Sequence, residues 1–199
     1  MRLTVAEAAT KTRDSAATRA RIEREALRLF AAKGVEGATI RDLSQAVGVA
    51  DAALYRYFGS KEALARDLFQ RHYGALAQAI AQIGARDLPF RDSVTQIVAL
   101  VCRMFDEDPD AFAFVLLNQH AYLRYVREDG NAVAELLRIV ARAQTRGEIM
   151  TQEPELAAAM ALGAALQPAV FKLYGRLPGP LAPRADALAR AALAAMQAG

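Results

Sequence analysis

The stretch from Thr39 to Lys61, TIRDLSQAVGVADAALYRYFGSK, decides how the rest of this chain is read. Thr39 precedes Asp42 by three residues, the spacing at which a hydroxyl and a carboxylate satisfy the backbone N–H groups left free at a helix start. A short helix is therefore expected from Ile40. Its apolar positions Ile40, Leu43, Ala46 and Val47 fall at helical spacing, leaving Arg41 and Gln45 on the other face. Gly48 ends it, because glycine enters the left-handed conformation without a Cβ clash. Leu54 and Phe58, four residues apart, anchor a second short helix, whose remaining surface is shared by Asp51, Ala52, Ala53, Tyr55, Arg56 and Tyr57. Two short helices joined by a glycine turn make a helix-turn-helix, and the second is of the size that enters a DNA major groove.

The flanks read as helices too. A first helix is expected from about Asp14 to Lys33, burying Ile22, Ala26, Leu29 and Phe30 and ending at Gly34. The residues before it are polar and expected to be loosely held, with Lys11 and Arg13 either a basic arm or part of an ordinary frayed terminus. Beyond the central stretch, Ser60 is placed to cap a long helix that runs through Leu64, Leu68, Phe69, Leu76 and Ile80 to about Ile83. Lys61 falls in its first turn, where the dipole disfavours a cation unless a phosphate sits there. A fifth helix carries Val94, Ile97, Val98, Val101, Cys102 and Phe105 on one side, and Asp108-Pro109 opens a sixth over Phe112, Val115, Leu116 and Gln119. Asn131 caps a seventh that closes near Gly147. Pro154 opens an eighth, whose run AAAMALGAALQPAVFKLY is apolar nearly all round and needs cover on more than one side. Pro168 is expected to kink it. After LPGPLAP, a ninth helix lines up Leu188, Ala192 and Met196.

An all-α fold of about nine helices follows, since no stretch alternates in the manner of a strand. The net charge is only +3, but residues 1–61 hold 11 Lys and Arg against 7 Asp and Glu, and the remainder 14 against 15. The basic excess thus sits with the helix-turn-helix, where it attracts phosphates. Cys102 is the single cysteine, so no disulfide framework or thiolate metal site is expected within one chain; it reads as a core residue, with thiol sensing the other option. His72 and His120 are the only histidines and have no metal-type spacing. With no nucleophile and base pattern, no phosphate loop and no secretory or membrane-spanning run, the sequence points away from an enzyme, a cofactor or a metal and towards a cytoplasmic protein.

A family resemblance is carried by Thr18-Arg19, Ile22, Ala26, Leu29-Phe30, Lys33-Gly34, Thr39, Leu43, Gly48-Val49 and the block Leu54 to Leu64, LYRYFGSKEAL. Together these resemble the N-terminal signature of the tetracycline-repressor (TetR) family. The chain departs from the pattern at Ala50, where the family has a hydroxyl residue, which leaves Asp51 to cap the second short helix. The resemblance implies a DNA-binding unit over residues 1–60 and a ligand-binding and dimerisation unit over residues 61–199. It implies a homodimer that binds a near-palindromic operator on double-stranded DNA, most simply as a repressor, and that is released by a small effector.

By the same resemblance Tyr55, Tyr57 and Lys61 match phosphate-binding positions, and Arg41, Ala52 and Ala53 match positions that face base edges. Thr39, Asp51 and Arg56 complete the expected DNA-facing set. Tyr55 has a second reading as a packing aromatic. Ala52 and Ala53 can only touch a thymine methyl or let the helix lie close, so polar base reading falls to Arg41 and Arg56. An effector cavity is expected between the fourth and seventh helices, with Phe69, Tyr73, Arg103, Phe112, Leu116, Gln119, His120 and Phe171 as its residues. Asn118, Gln119, His120 and Tyr122, with Arg103, form the densest polar set in otherwise apolar helices, although each can equally be exposed or satisfied locally. The expected dimer interface comprises Leu156, Met160, Gly163, Ala164, Gln167, Phe171, Leu188, Ala192 and Met196. The competing reading of the same chain is an all-α module that works through protein contacts without recognising an operator.

Overall fold

The structure is a computed structural model and describes residues 5–127, 130–150 and 153–197, all of it helix, turn or loop. In chain order the helices are α1 (Val5–Gly37), α2 (Ile40–Val47), α3 (Asp51–Leu54), α4 (Lys61–Ala85), α5 (Phe90–Glu107), α6 (Pro109–Tyr122), α7 (Ala132–Thr145), α8 (Pro154–Leu173) and α9 (Ala185–Gln197).

The all-α expectation holds, and most boundaries fall where local chemistry puts them. Ser60 Oγ accepts from the Ala63 N–H at 3.0 Å, Asp108 Oδ1 from Ala111 at 3.0 Å, and Asn131 Oδ1 from Val133 at 3.0 Å. Each sits one residue ahead of its helix and satisfies a donor that the first turn leaves free. Two expectations need correction. α1 begins at Val5 rather than Asp14, so residues 5–13 of the segment read as loose are helical; the Lys11 and Arg13 side chains lie outside the described residues. Gly34 breaks α1 as expected, with φ 73° and ψ 165°, but a further helical turn follows to Gly37. Pro168 lies inside α8, which continues past it to Leu173.

α1 packs on α2, α4 and α6; α4 packs also on α6 and α7; α8 and α9 pack on each other and on α5. One continuous apolar core runs from Ile22 on α1 to Met196 on α9. Cys102 is fully buried in it, and burial pushes its thiol up, away from the reactive thiolate. α8 is the exception to good cover: it is the described helix long and apolar enough to cross a membrane, yet only 28% of its most apolar window is buried within the chain.

Candidate nucleic-acid interface and ligand cavity

The start of α2 is held as its sequence dictates. Thr39 Oγ1 accepts from the Asp42 N–H at 3.0 Å, while the Thr39 N–H donates to Asp42 Oδ2 at 2.9 Å. Lys33 Nζ reaches the other carboxylate oxygen at 3.3 Å. The Thr39 backbone N–H, then its hydroxyl and Lys33, hold the Asp42 carboxyl below the ordinary carboxylate range. At the far end Gly48 takes φ 73°, and the N–H groups of Gly48 and Val49 both reach the Ser44 carbonyl, at 2.9 and 3.0 Å. Leu43, Ser44 and Val47 are buried, and Ala46, expected on that face, is exposed.

The second helix is shorter than its sequence suggests. α3 spans four residues, after which Tyr55-Arg56-Tyr57 continues as a turn tied by Tyr57 N–H to the Leu54 carbonyl at 2.9 Å. Asp51 does not cap it. Ala50 occupies the cap position without a side-chain bond, and Asp51 is the first helical residue, where its charge suits the helix dipole.

Thr39, Arg41, Asp51, Ala52, Tyr55 and Arg56 all lie exposed on this unit, with Ala53 and Tyr57 half-buried beside them. Leu54 faces the core, which turns its neighbours outward. Lys61 is placed differently from the phosphate-binding reading: its Nζ donates to the Ala38 carbonyl at 2.9 Å, and its side chain is 16% exposed. It ties the start of α4 to the loop before α2. A second tie joins α1 to α4, where Glu23 accepts from Arg71 at 2.6 Å and from Arg19 at 3.0 Å, with Arg71 also on Asp67 at 2.9 Å. The Arg71 hydrogen bond leads in holding the Glu23 carboxyl below its usual range.

Behind this unit, α4, α5, α6, α7 and α8 enclose a cavity of about 210 Å³. Of the expected effector residues, Tyr73, Phe112, Leu116 and Gln119 line it. The Tyr73 hydroxyl donates to Asn131 Oδ1 at 3.1 Å, joining the cavity wall to the cap of α7, and burial pushes its phenol up. Phe69 lies beneath, fully buried and stacked on Tyr73 at 5.3 Å. Besides Phe69, three expected residues are not on the wall. Arg103 follows the buried Cys102 by one position, about 100° around the helix, and lies in a separate groove with Gln82, Ile83 and Leu100. His120 is exposed next to Gln119. Phe171 stands on the outer face of α8, five residues past the lining residue Leu166 and so about 140° around it. The polar set on α6 is satisfied locally, with Asn118 Nδ2 on the Phe114 carbonyl at 2.8 Å and Gln119 Nε2 on the Leu116 carbonyl at 3.0 Å.

The sequence reading missed His72, Leu76, Met104, Glu107, Asp108, Val115, Leu162 and Leu166, which complete most of the wall. One signal was there: Phe69, His72, Tyr73 and Leu76 share one face of α4. Burial lowers the His72 imidazole below its ordinary 6.5 and favours the neutral ring, against the opposing pull of Asp108.

Residues 22–68 match the family model described as bacterial regulatory proteins, tetR family. Over these residues the chain carries the N-terminal region of the TetR family. MftR of Mycobacterium tuberculosis is 33% identical over 82 residues, which is 41% of this chain but only 40% of that protein. The solved TetR-family regulator PfmR from Thermus thermophilus is 25% identical, with TM-score 0.73 over 87% of this chain and 97% of PfmR. The transcriptional regulator FadR from Bacillus subtilis, solved in complex with stearoyl-CoA, is 17% identical with TM-score 0.69, over 88% of this chain and 97% of FadR, and shares the fold. Among the described residues, an all-helical architecture and a cavity thus accompany a helix-turn-helix that matches the TetR-family model.

Proposed function

We propose that this protein is a homodimeric, effector-responsive transcriptional repressor that binds a near-palindromic operator in the cytoplasm. Residues 1–60 would form the DNA-binding unit and residues 61–199 the effector and dimer unit. The observation that carries the reading is the doubly capped α2 with α3 beside it, on which Arg41, Ala52, Tyr55 and Arg56 are each exposed.

α8 supplies the reason for a dimer. Ala157, Ala158, Ala161, Ala165 and Ala169 are buried against the chain itself, whereas Leu156 and Phe171 are each 49% exposed and Met160 37%. Gly163 and Gln167 fall on that same bare stripe, with Ala164 and Leu188 half-buried at its side. A second copy of α8 would cover it. Ala192 and Met196 drop out of the proposed interface, because at 1% exposure each is already covered by its own protomer.

In such a dimer the two α3 helices must sit about one DNA turn apart, roughly 34–36 Å, or a multiple of it. α4 joins the helix-turn-helix to the cavity without a linker, and α6 touches both α1 and the cavity. A molecule that fits the cavity better in a swung arrangement of these helices lowers operator affinity, and by linkage the operator lowers its affinity by the same factor. Selection of bound duplexes from a random pool at moderate salt tests the reading. A palindromic motif is expected; enrichment of no motif would leave an all-α module working through protein contacts.

A further inference from the structure

We infer that the cavity takes a small apolar molecule with a cationic head and disfavours a carboxylate or phosphate of the same length. The inference rests on the proposed reading of the cavity as an effector site. Leu76, Val115, Leu162 and Leu166 make its walls apolar, so a hydrocarbon body is at home there. The charged groups on its lining are Glu107 and Asp108, at the junction of α5 and α6, both exposed at the cavity's edge. Asp108 uses Oδ1 to cap α6, and Glu107 has no ion-pair partner among the described residues. No Lys or Arg is among the lining residues, Arg103 being turned to the other groove. His72 offers no fixed positive charge either, since burial favours its neutral form. An anionic head would therefore meet two carboxylates with no cation to receive it, whereas an ammonium would be held by both.

Size narrows the class further. At about 30 Å³ per water-sized group, the 210 Å³ cavity holds roughly seven such groups, the body of a medium-chain molecule.

Calorimetric titration of the full-length protein with heptylamine, heptan-1-ol, heptanoate and stearoyl-CoA at low salt tests this. Heptylamine is expected to bind about tenfold tighter than heptanoate, with the alcohol between them, as two exposed charges attracting one head and repelling the other imply. Glu107→Gln together with Asp108→Asn, which keeps a capping side chain, should remove that preference, and rising salt should shrink it. Leu166→Trp should fill the cavity and abolish binding of all the probes; Leu162→Phe is the milder substitute if that variant fails to fold. Heptanoate or stearoyl-CoA binding as tightly as the amine, or an amine preference that survives the double substitution, overturns the inference about charge. In that case loss of binding in Leu166→Trp still supports the cavity as an effector site. Binding by none of the probes, or binding indifferent to both cavity-filling variants, overturns the cavity reading and the inference with it.

Discussion

Phe114 on α6 meets Phe30 on α1 with ring centroids 5.7 Å apart, and both rings are buried. Phe114 also meets Phe69 of α4 edge-on at 6.5 Å, so three helices converge on one side chain. The same α6 places Phe112, Leu116 and Gln119 on the cavity wall. If a molecule bound in the cavity moved α6, direct packing would carry that movement to α1, in parallel with any rotation of α4. Phe114→Ala should cost about 3–5 kcal/mol, the usual range for emptying an aromatic site. Because the core is continuous from Ile22 to Met196, the variant should still unfold in a single transition in urea followed by circular dichroism. Two separated transitions would mean that α1–α3 fold independently of the rest.

Lys61 and Arg41 separate support from recognition. With Nζ on the Ala38 carbonyl, Lys61 holds the helix-turn-helix against α4. Lys61→Met should lower stability by about 1 kcal/mol, as for a typical lost hydrogen bond. It should leave the slope of log affinity against log salt nearly unchanged. A slope shallower by about 1 would show that the amine leaves Ala38 for a phosphate when DNA binds.

Arg41 is exposed one position inside the capped start of α2. If its guanidinium reads a guanine edge, Arg41→Ala should cost about 1–3 kcal/mol at one base position in each half-site and relax preference there. Affinities measured across single-base operator variants decide this, because a uniform loss over all variants would mark a phosphate contact instead.

How much was legible in the sequence follows from the range of each interaction. Thr39 with Asp42, and the caps at Ser60, Asp108 and Asn131, act within three residues of themselves and could be read directly. The partner of Lys61 lies 23 residues away in the chain, so its hydrogen bond to Ala38 could not be read from the sequence. The cavity was legible on α6 and at Tyr73 but not at Glu107 or Asp108, because two exposed acids at a helix junction look like ordinary solvated caps until the fold brings α4 and α8 beside them to form the cavity. Arg103 and His120 misled for the converse reason: a polar residue inside an apolar helix reads alike whether it faces a cavity or solvent, and only the packing of Cys102 settles which way Arg103 turns. The apolar surplus of α8 was plain from composition, whereas the assignment of Ala192 and Met196 needed the α9 packing partner.

The bare stripe on α8 predicts a dissociable dimer. Phe171→Asp replaces a half-exposed aromatic ring with a charge that a two-fold interface would bury twice. Phe171 is already half covered, so losing two such burials at about 1–1.5 kcal/mol each weakens the dimer by roughly 30- to 150-fold. Sedimentation should show a dimer at micromolar concentration for the parent chain and a monomer of unchanged helicity for the variant. A monomeric parent, or a variant that dimerises as well as the parent, would remove α8 as the interface.

His72 gives the fold a pH dependence whose sign is fixed by its burial. The ring lies on the cavity wall, and burial lowers its pKa below 6.5, opposed by Asp108 and Glu23 and reinforced by the Arg71 charge next to it. Unfolding restores the ordinary value, so the unfolded chain takes up a proton at a higher pH than the folded one does. Its stabilising contribution is therefore fully present above pH 6.5 and is lost as pH falls from there through the lower folded value. Glu23 and Asp42, whose carboxyls are also lowered, have ordinary values of 4.5 and 3.8 and lose their contributions only in more acid solution, which separates the two windows. Urea midpoints at pH 7.5 and pH 5.5 should then differ in the parent chain, lower at the acid end, and His72→Gln should flatten that difference while keeping a polar group of similar size. An equal fall in the glutamine variant would place the proton uptake on another residue.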